Sequence, residues 1–225
     1  MYREIVKRGL DFFFSLIGLV PFTVVLLIVG FMIHREDKGS VFYVAPRLGE
    51  NGVVFRMFKF RTMKVDAPDL RMSDGSTFNG ENDPRVTKVG RVLRKTSIDE
   101  LPQLLNVIRG EMSFVGPRPD LPEAQALYSQ VESRKLVVRP GITGYSQAYF
   151  RNSISMRDRF VQDLFYVEHV SFFLDAKIVL KTFMTVVGRK HVFINPASVE
   201  PGEIGGLVGS CPSSGRSCQD GKEER

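Results

Sequence analysis

The stretch FFFSLIGLVPFTVVLLIVGFMI (residues 12–33) is the strongest fold signal in the 225-residue sequence, and it contains no charged residue. As an unbroken α-helix it would be about 33 Å long, close to the hydrocarbon thickness of a bilayer. A cleaved secretory signal is one alternative, but a charged run follows the stretch instead of a small-residue cleavage site. A buried core helix is another. The sequence favours a membrane-inserted helix over both.

The flanks of this helix leave its orientation open, because basic residues lie on both sides and the positive-inside rule then gives no direction. These residues are Arg3, Lys7 and Arg8 before the helix and Arg35 and Lys38 after it. Pro21 lies near the middle, where it removes an internal hydrogen bond, and is the candidate break in the membrane helix. A bent helix that enters and leaves by one face fits the composition, and so does a kinked helix that spans.

Composition excludes several kinds of site. The net charge of +6 suits nucleic acid, an anionic membrane face or a phosphorylated substrate. Phosphate-loop, dinucleotide-loop and Asp-x-Asp motifs are absent from the sequence, and the three histidines are scattered. Cys211 and Cys218 are too few for a disulfide framework, and a body with few cysteines fits a reducing compartment.

Downstream of the membrane helix, the pattern predicts an α+β domain. Two β-rich segments, residues 41–44 and 53–63, flank a turn with the hairpin signal Asn51-Gly52, and Lys59 and Arg61 alternate onto one face of the second. Helices are expected over residues 87–95, 101–108, 122–137, 156–167 and 172–187. The organisation expected is a membrane helix with its flanks (1–38), a small mixed αβ domain with amphipathic helices (39–192) and a disordered tail (193–225).

The last of these helices has an apolar stripe whose partner is open. The stripe consists of Phe172, Ala176, Val179, Leu180, Phe183 and Val187. Such a stripe either packs on a core or lies on a membrane surface.

The segment RKTSIDELPQLLNVIRGEMSFVGPRP (residues 94–119) is the richest in chemistry, since it places adjacent carboxylates, Asp99 and Glu100, before an apolar helix. One interpretation is a capping box in which Ser97 is the N-cap and Glu100 lies three residues on, although Pro102 fits that register poorly. The other is a pair of acids that works on phosphates. An ionised Asp can attack phosphorus, and a neighbouring Glu can hold Mg²⁺.

Basic residues near this pair point to the same ligand. Arg94 and Arg118 are close in sequence, and cations favour both an ionised carboxylate and a bound phosphate. The prolines of Gly116-Pro117-Arg118-Pro119 stiffen the loop that carries Arg118. A merely solvated charge is the alternative for this residue, and equally for Lys59, Arg61, Arg139 and Arg151.

Six ordered motifs resemble those of the monotopic phosphoglycosyl transferases, a family of bacterial sugar transferases, over residues 7–187. The motifs are Lys7-Arg8, Phe58-Lys59-Phe60-Arg61-Thr62-Met63, Asp83-Pro84-Arg85-Val86-Thr87, Ser97-Ile98-Asp99-Glu100-Leu101-Pro102-Gln103, Ser113-Phe114-Val115-Gly116-Pro117-Arg118-Pro119 and Arg139-Pro140-Gly141-Ile142-Thr143-Gly144. Each motif alone is weak, but six in order at similar spacing are specific. In one respect the chain departs from small family members, because Thr23-Val24 stands where they have a helix-breaking Ser-Pro.

The resemblance implies a re-entrant membrane helix, a small αβ catalytic domain on the cytoplasmic face of the bacterial inner membrane, and amphipathic helices at the bilayer surface. It implies transfer of a phospho-sugar from a UDP-sugar to undecaprenyl phosphate with release of UMP and with Mg²⁺ as cofactor. Asp99 would be the nucleophile, and Glu100, with Asp99, would hold the metal. The candidate substrate-binding residues are Lys59, Arg61, Arg94, Arg118, Arg139 and Arg151.

Two other functions remain as alternatives at this stage. A membrane-anchored basic module that binds anionic lipid or nucleic acid would explain the anchor and the charge, but carboxylates among the arginines would repel phosphate unless a metal were bound. We therefore expect no nucleic-acid partner. A structural anchor for a partner enzyme is the other alternative.

Overall fold

The computed structural model describes residues 2–68, 83–150 and 154–188. In chain order the elements are a short π-helix Tyr2–Val6, α1 (Lys7–Asp37), β1 (Phe42–Leu48), a 3-10 turn Glu50–Gly52, β2 (Val54–Phe60), α2 (Lys88–Thr96), a 3-10 helix Ile98–Gln103, α3 (Leu104–Arg109), β3 (Ser113–Val115), 3-10 helices Pro122–Leu127 and Glu132–Val137, β4 (Gly141–Thr143), α4 (Tyr145–Tyr149), α5 (Met156–Glu168) and α6 (Phe172–Val187). The mixed αβ class is confirmed. The expected tail and the loop residues 69–82 lie outside the described residues.

The predicted hairpin is present. β1 and β2 pair antiparallel, with Phe42 opposite Phe60 and Leu48 opposite Val54. At the turn, Asn51 and Gly52 have φ of 57° and 76°, the left-handed conformation that Asn and Gly adopt most easily. The hairpin carries Lys59 near the end of β2.

Two of the sequence motifs meet in a second, parallel pair of strands, β3 and β4. The backbones approach so closely that a Cβ on Gly116 would lie 2.3 Å from the carbonyl oxygen of Arg139. The N–H of Gly116 donates to the carbonyl of Thr143, and that of Gly141 donates to the carbonyl of Pro117. The Gly116–Pro119 loop therefore leaves this pair of strands from a fixed starting point.

Helix α1 packs one side of its length on the αβ body. Phe22, Val29 and Ile33 are buried, and they share a core cluster with Phe60 and Leu104. The opposite side of α1 is apolar and exposed. Within the most apolar stretch of 18 consecutive residues in this helix, only 17% are buried. By length and composition α1 could serve as a membrane anchor.

α1 is assigned as one continuous helix from Lys7 through Pro21 to Asp37, so Pro21 does not end the helix. A proline inside a helix removes one hydrogen bond, and the helix can continue when packing holds the turns on either side of it. Phe22, which follows Pro21, is 4% exposed and packs against Phe60.

Both ends of α1 are tied to the same body. At its start, the Lys7 ammonium lies 2.7 Å from Oδ2 of Asp175 in α6, and Arg8 Nη1 donates to the carbonyl of Val107 at 2.9 Å. At its end, Asp37 pairs with both terminal nitrogens of Arg61. The helix therefore docks along the domain at both termini as well as at its middle.

Helices α2, α5 and α6 lie where the sequence predicts them, but one helix was predicted wrongly. Residues 122–137 form two separate 3-10 helices. Between them Ser129 and Glu132 make a reciprocal capping box: the Glu132 N–H donates to Ser129 Oγ, and the Ser129 N–H donates to Glu132 Oε2. The cap starts a new turn where the prediction assumed one continuous helix.

The apolar stripe of α6 faces outward. Phe172, Val179, Leu180 and Phe183 are all at least half exposed, whereas Ile178 on the other side is fully buried. Core packing of this stripe is thus the wrong alternative.

Candidate active site

The acidic pair lies in the 3-10 helix Ile98–Gln103, which continues directly into α3. Ser97 ends α2 in the left-handed conformation, and its side chain caps neither helix. The capping-box interpretation of Ser97 and Glu100 is therefore wrong. Pro102 lies inside this 3-10 helix.

β2 delivers a lysine to this pair. Lys59 Nζ lies 2.7 Å from Glu100 Oε1. The strand is held in place by Asn106 of α3, which is fully buried; its Oδ1 accepts from the Phe58 N–H, and its Nδ2 donates to the Arg56 carbonyl. Side-chain hydrogen bonds from α3 thus continue the sheet pairing on the free edge of β2 and fix the position of Lys59.

Asp99 is placed differently from its neighbour. Among the described residues, its carboxylate has no hydrogen-bond or ion-pair partner. Burial raises the pKa of Asp99 to about 6; Lys59, Arg94 and Arg118 act in the opposite direction, and the Glu100 charge adds to the rise. The sequence led us to expect that cations keep this group ionised. Desolvation outweighs them, although a carboxyl with a pKa near 6 is still largely ionised at neutral pH.

Two arginines complete the site. Nη1 of Arg118 lies 3.7 Å from Glu100 Oε1, and its side chain is 42% exposed, so it can reach both the acidic pair and solvent. Arg94 on α2 donates from Nε to Thr62 Oγ1 at 3.0 Å; burial lowers its pKa, while the Asp99 charge acts the other way. Arg118 therefore lies beside the acidic pair and not in an isolated turn.

Two of the other predicted cations, Arg61 and Arg139, pair with acids elsewhere in the fold. β2 ends at Phe60, so Arg61 lies outside the strand and does not share a strand face with Lys59. The Arg61 guanidinium binds Asp37 instead. Arg139 pairs with Glu50, at 3.3 Å between Nε and Oε2. Arg151 lies outside the described residues.

Sequence reasoning missed Arg47 of β1. The N–H of the next residue, Leu48, donates to the carbonyl of Asp120, which places this strand beside the loop that carries Arg118. Burial lowers the pKa of Arg47, and the charge of Arg118 acts in the same direction. No motif surrounds Arg47 in the sequence, so only the pairing of strand and loop reveals it.

The site has few protein ligands for a metal. Within the described part of the chain, no three His, Cys, Asp or Glu side chains gather as a metal-binding group. Asp99 and Glu100 supply two carboxylates, and no third His, Cys, Asp or Glu among the described residues joins them. This set fits Mg²⁺ in the manner in which one or two carboxylates hold it and substrate phosphates and water complete the shell.

Comparison with known proteins gives consistent relatives. Residues 2–189 match the family described as bacterial sugar transferase. The chain is 44% identical over 191 residues to the exopolysaccharide production protein ExoY of Rhizobium meliloti, covering 80% of this chain and 84% of that protein. It is 40% identical to the galactosyl transferase CpsE of Streptococcus agalactiae, covering 81% of this chain and 42% of CpsE. It is 39% identical to the undecaprenyl-phosphate glucose phosphotransferase of Komagataeibacter xylinus, covering 83% of this chain and 37% of that protein. The chain therefore spans less than half the length of the latter two relatives.

Proposed function

The chain belongs to the bacterial sugar transferase family, and from this we propose that it transfers a sugar 1-phosphate from a UDP-sugar to undecaprenyl phosphate and releases UMP. The observation that carries the proposal is the Asp99 carboxylate, which has no hydrogen-bond or ion-pair partner among the described residues and lies beside Glu100, within the field of Lys59, Arg94 and Arg118. In such a site the cations can bind a polyanionic substrate while the carboxylate beside them acts as a nucleophile. The name of the K. xylinus relative describes the same type of transfer to the same lipid carrier.

We infer a two-step route. The Asp99 carboxylate attacks the β-phosphorus of the UDP-sugar, the bond from that phosphorus to the bridging oxygen breaks, and UMP leaves. A phosphate oxygen of undecaprenyl phosphate then attacks the phosphorus held on Asp99, which frees the carboxylate and forms undecaprenyl-diphosphate-sugar. A covalent intermediate lets a water-soluble donor and a lipid acceptor use one site in turn.

The cations around the pair would bind phosphates. Arg118, exposed and close to Glu100, can present two parallel N–H groups to a phosphate. Lys59 and Arg94 lower the cost of ionising Asp99. Mg²⁺, held by Glu100 and Asp99, would supply the counter-charge that lets phosphates approach two carboxylates.

The packing of α1 supports an anchor that enters and leaves the bilayer by one face. Lys7 at its start and Asp37 at its end both pair with the catalytic body, and Phe22 between them is buried against it. A helix that crossed the membrane could not keep both ends on one cytoplasmic domain. The exposed apolar sides of α1 and α6 would then meet the lipid, on the cytoplasmic face of the inner membrane.

Detection of the enzyme-bound phospho-sugar tests the reaction. Purified protein is incubated with each of a panel of UDP-sugars and Mg²⁺, without the lipid acceptor, and is then analysed for UMP and by intact-mass spectrometry. We expect stoichiometric UMP and a mass gain of one phospho-sugar on the peptide that contains Asp99, with one sugar preferred. Undecaprenyl phosphate should discharge the adduct, and EDTA should prevent its formation.

The matched control is Asp99→Asn, which should give neither UMP nor adduct. If UMP release always requires both substrates and no adduct forms, the two-step route is wrong. If no UDP-sugar gives UMP even with the acceptor present, a binding module without catalysis is the better function.

Cysteine labelling tests the anchor. Cys211 and Cys218 are first replaced by Ser, and single cysteines are then placed at Arg3 and at Arg35, both exposed. Tyr2 is avoided because its hydroxyl binds Asp175. We expect both positions to react only with reagents that reach the cytoplasm; periplasmic labelling at either one would mean that α1 spans the bilayer.

A further inference from the structure

A buried lysine lies behind the loop that carries Arg118. The Lys135 side chain is 3% exposed. Its ammonium donates to Asp120 Oδ2 at 2.6 Å and to the backbone carbonyl of Arg118 at 3.3 Å, and it lies 3.2 Å from Asp163 Oδ2. Three separate parts of the chain therefore converge on one nitrogen: the Arg118 loop, the 3-10 helix Glu132–Val137 and α5.

The partners of Lys135 are themselves held by other groups. Asp120 Oδ2 accepts from the Tyr128 hydroxyl at 2.6 Å, and Asp163 Oδ1 accepts from the Ser146 hydroxyl at 2.7 Å. Burial disfavours the Lys135 ammonium, but the charges of Asp163 and Asp120 outweigh it, so the pKa of Lys135 lies above its ordinary value. The lysine is thus a permanent cation in an oriented polar cluster.

Stability alone gives a weak reason for such a cluster. Buried ion pairs are often no more stabilising than well-packed apolar residues of the same volume, because both charges must be desolvated. What apolar residues cannot do is hold a carbonyl oxygen at a fixed point. Lys135 does this for Arg118 itself, at the only residue of the Gly116–Pro119 loop whose side chain reaches Glu100.

We propose that Lys135 is a positioning residue for the reaction: with Asp120 and Asp163, it fixes the backbone of the Gly116–Pro119 loop so that the Arg118 guanidinium faces the acidic pair and the bound donor phosphates. This proposal rests on the proposed function, since Arg118 needs positioning only if it binds a phosphate there. Lys135 touches no substrate and acts through Arg118.

A double-mutant cycle tests this coupling. Lys135→Gln keeps a hydrogen-bond donor and removes the charge. The cycle compares wild type with Lys135→Gln, and Arg118→Ala with the double variant Lys135→Gln/Arg118→Ala. In the wild-type background we expect kcat/KM for the UDP-sugar to fall about tenfold or more, chiefly through KM, as expected for a displaced charge-assisted contact. In the Arg118→Ala background the same substitution should change kcat/KM by less than about twofold, because the contact is already lost.

Two further variants separate positioning from folding. Arg134→Gln alters the preceding residue of the same 3-10 helix, whose guanidinium pairs with Glu168 at an exposed position, and it should leave kcat/KM unchanged. If Lys135→Gln does not fold, Asp120→Asn replaces it in the cycle, with the same non-additive result expected. Lys135→Arg, which keeps the charge, should recover part of the lost affinity.

Equal losses in both Arg118 backgrounds, or an unchanged kcat/KM in folded Lys135→Gln, would overturn the proposal. Amide hydrogen exchange at residues 116–120 gives a second readout that needs no turnover, and we expect faster exchange in Lys135→Gln. If wild type releases no UMP from any UDP-sugar, the proposed function fails, whereas unchanged exchange in the variant would contradict the positioning role itself.

Discussion

Asp99 and Asp175 show two opposite uses of a carboxylate in this fold. Asp175 is 7% exposed, and both of its oxygens are occupied: Oδ2 accepts from the Tyr2 hydroxyl and the Lys7 ammonium, and Oδ1 accepts from the Tyr166 hydroxyl. Asp99 has no such partner among the described residues, although cations surround it. Both groups lie near lysines, so charge alone does not distinguish them.

The difference lies in whether the lone pairs are free. A carboxylate whose two oxygens both accept hydrogen bonds is held rigidly and cannot attack an electrophile without breaking some of those bonds. One that is desolvated but unpartnered is raised in free energy and open to a ligand. The first therefore stabilises the fold, and the second is available for chemistry.

The largest expected effect follows from exchanging each carboxylate for an amide. Asp99→Asn should lower turnover by about a thousandfold or more, because the proposed nucleophile is lost, while the protein still folds. Asp175→Asn should do the reverse: it leaves Lys7 without its counter-charge and lowers the free energy of unfolding by about 3 kcal/mol, with turnover per folded molecule largely kept. UMP release and thermal unfolding of both variants measure this. Activity retained by Asp99→Asn would mean that the Asp99 carboxylate is not the nucleophile.

The next effect concerns the cation beside the pair. Arg118→Ala should lower kcat/KM tenfold or more, since one charge-assisted contact to a phosphate contributes roughly 1.5–3 kcal/mol. Arg109→Ala is the matched control, because Arg109 is exposed and lies over the Phe58 ring, 4.8 Å from its centroid. An unchanged rate in Arg118→Ala would return this arginine to a solvated role.

A smaller effect concerns pH. The proposed nucleophile Asp99 must be ionised to attack, so kcat/KM should rise as pH increases through about 6, the pKa of Asp99, and level off above it. Lys59 lowers this pKa, so Lys59→Met should move the rising limb to higher pH. Measurement of kcat/KM from pH 5 to 8 in wild type and in Lys59→Met checks the position of the rising limb and its shift. A limb that does not move in Lys59→Met would mean that another group controls the profile.

The smallest effect is on stability. The pKa of Asp99 is higher in the folded protein than in the unfolded chain, where an ordinary Asp titrates near 4. The folded state therefore holds this proton more tightly, and its stability falls as pH rises from about 4 through about 6. Asp99→Asn removes this loss and should raise the free energy of unfolding at pH 7.5 by on the order of 1 kcal/mol. Denaturation at pH 5 and 7.5 tests it: the gain should be smaller at pH 5.

The sequence predicted those parts that local patterns determine. The hairpin at Asn51-Gly52, helix α2 and the amphipathic helices α5 and α6 depend on turn residues, caps and periodicity, all of which are readable within about 15 residues. The acidic pair was located through its own motif. The capping box at Ser129 has the readable pattern Ser-x-x-Glu, which favours a new helical start inside the segment that periodicity predicts as one helix.

The sequence could not predict which cationic side chain pairs with which carboxylate. Lys59 and Arg61 looked alike, yet one pairs with Glu100, 41 residues away, and the other with Asp37 at the end of α1. Arg139 likewise turns to Glu50. The high pKa of Asp99 also needs the tertiary fold, because desolvation depends on which elements cover the side chain.

The contact between Lys7 and Asp175 also bears on how the protein is made. These residues are 168 positions apart, so at translation rates of about 5–20 residues per second the start of α1 waits roughly 10–30 s for its partner. The same delay applies to the core contacts of Phe22, Val29 and Ile33, because their partners Phe60 and Leu104 are synthesised later. During that interval a lipid bilayer could cover the apolar surface of α1. Insertion of α1 into the bilayer would thus keep its apolar surface covered until α6 is made. Asp175 of α6 would then complete the fold by pairing with Lys7 at the start of α1.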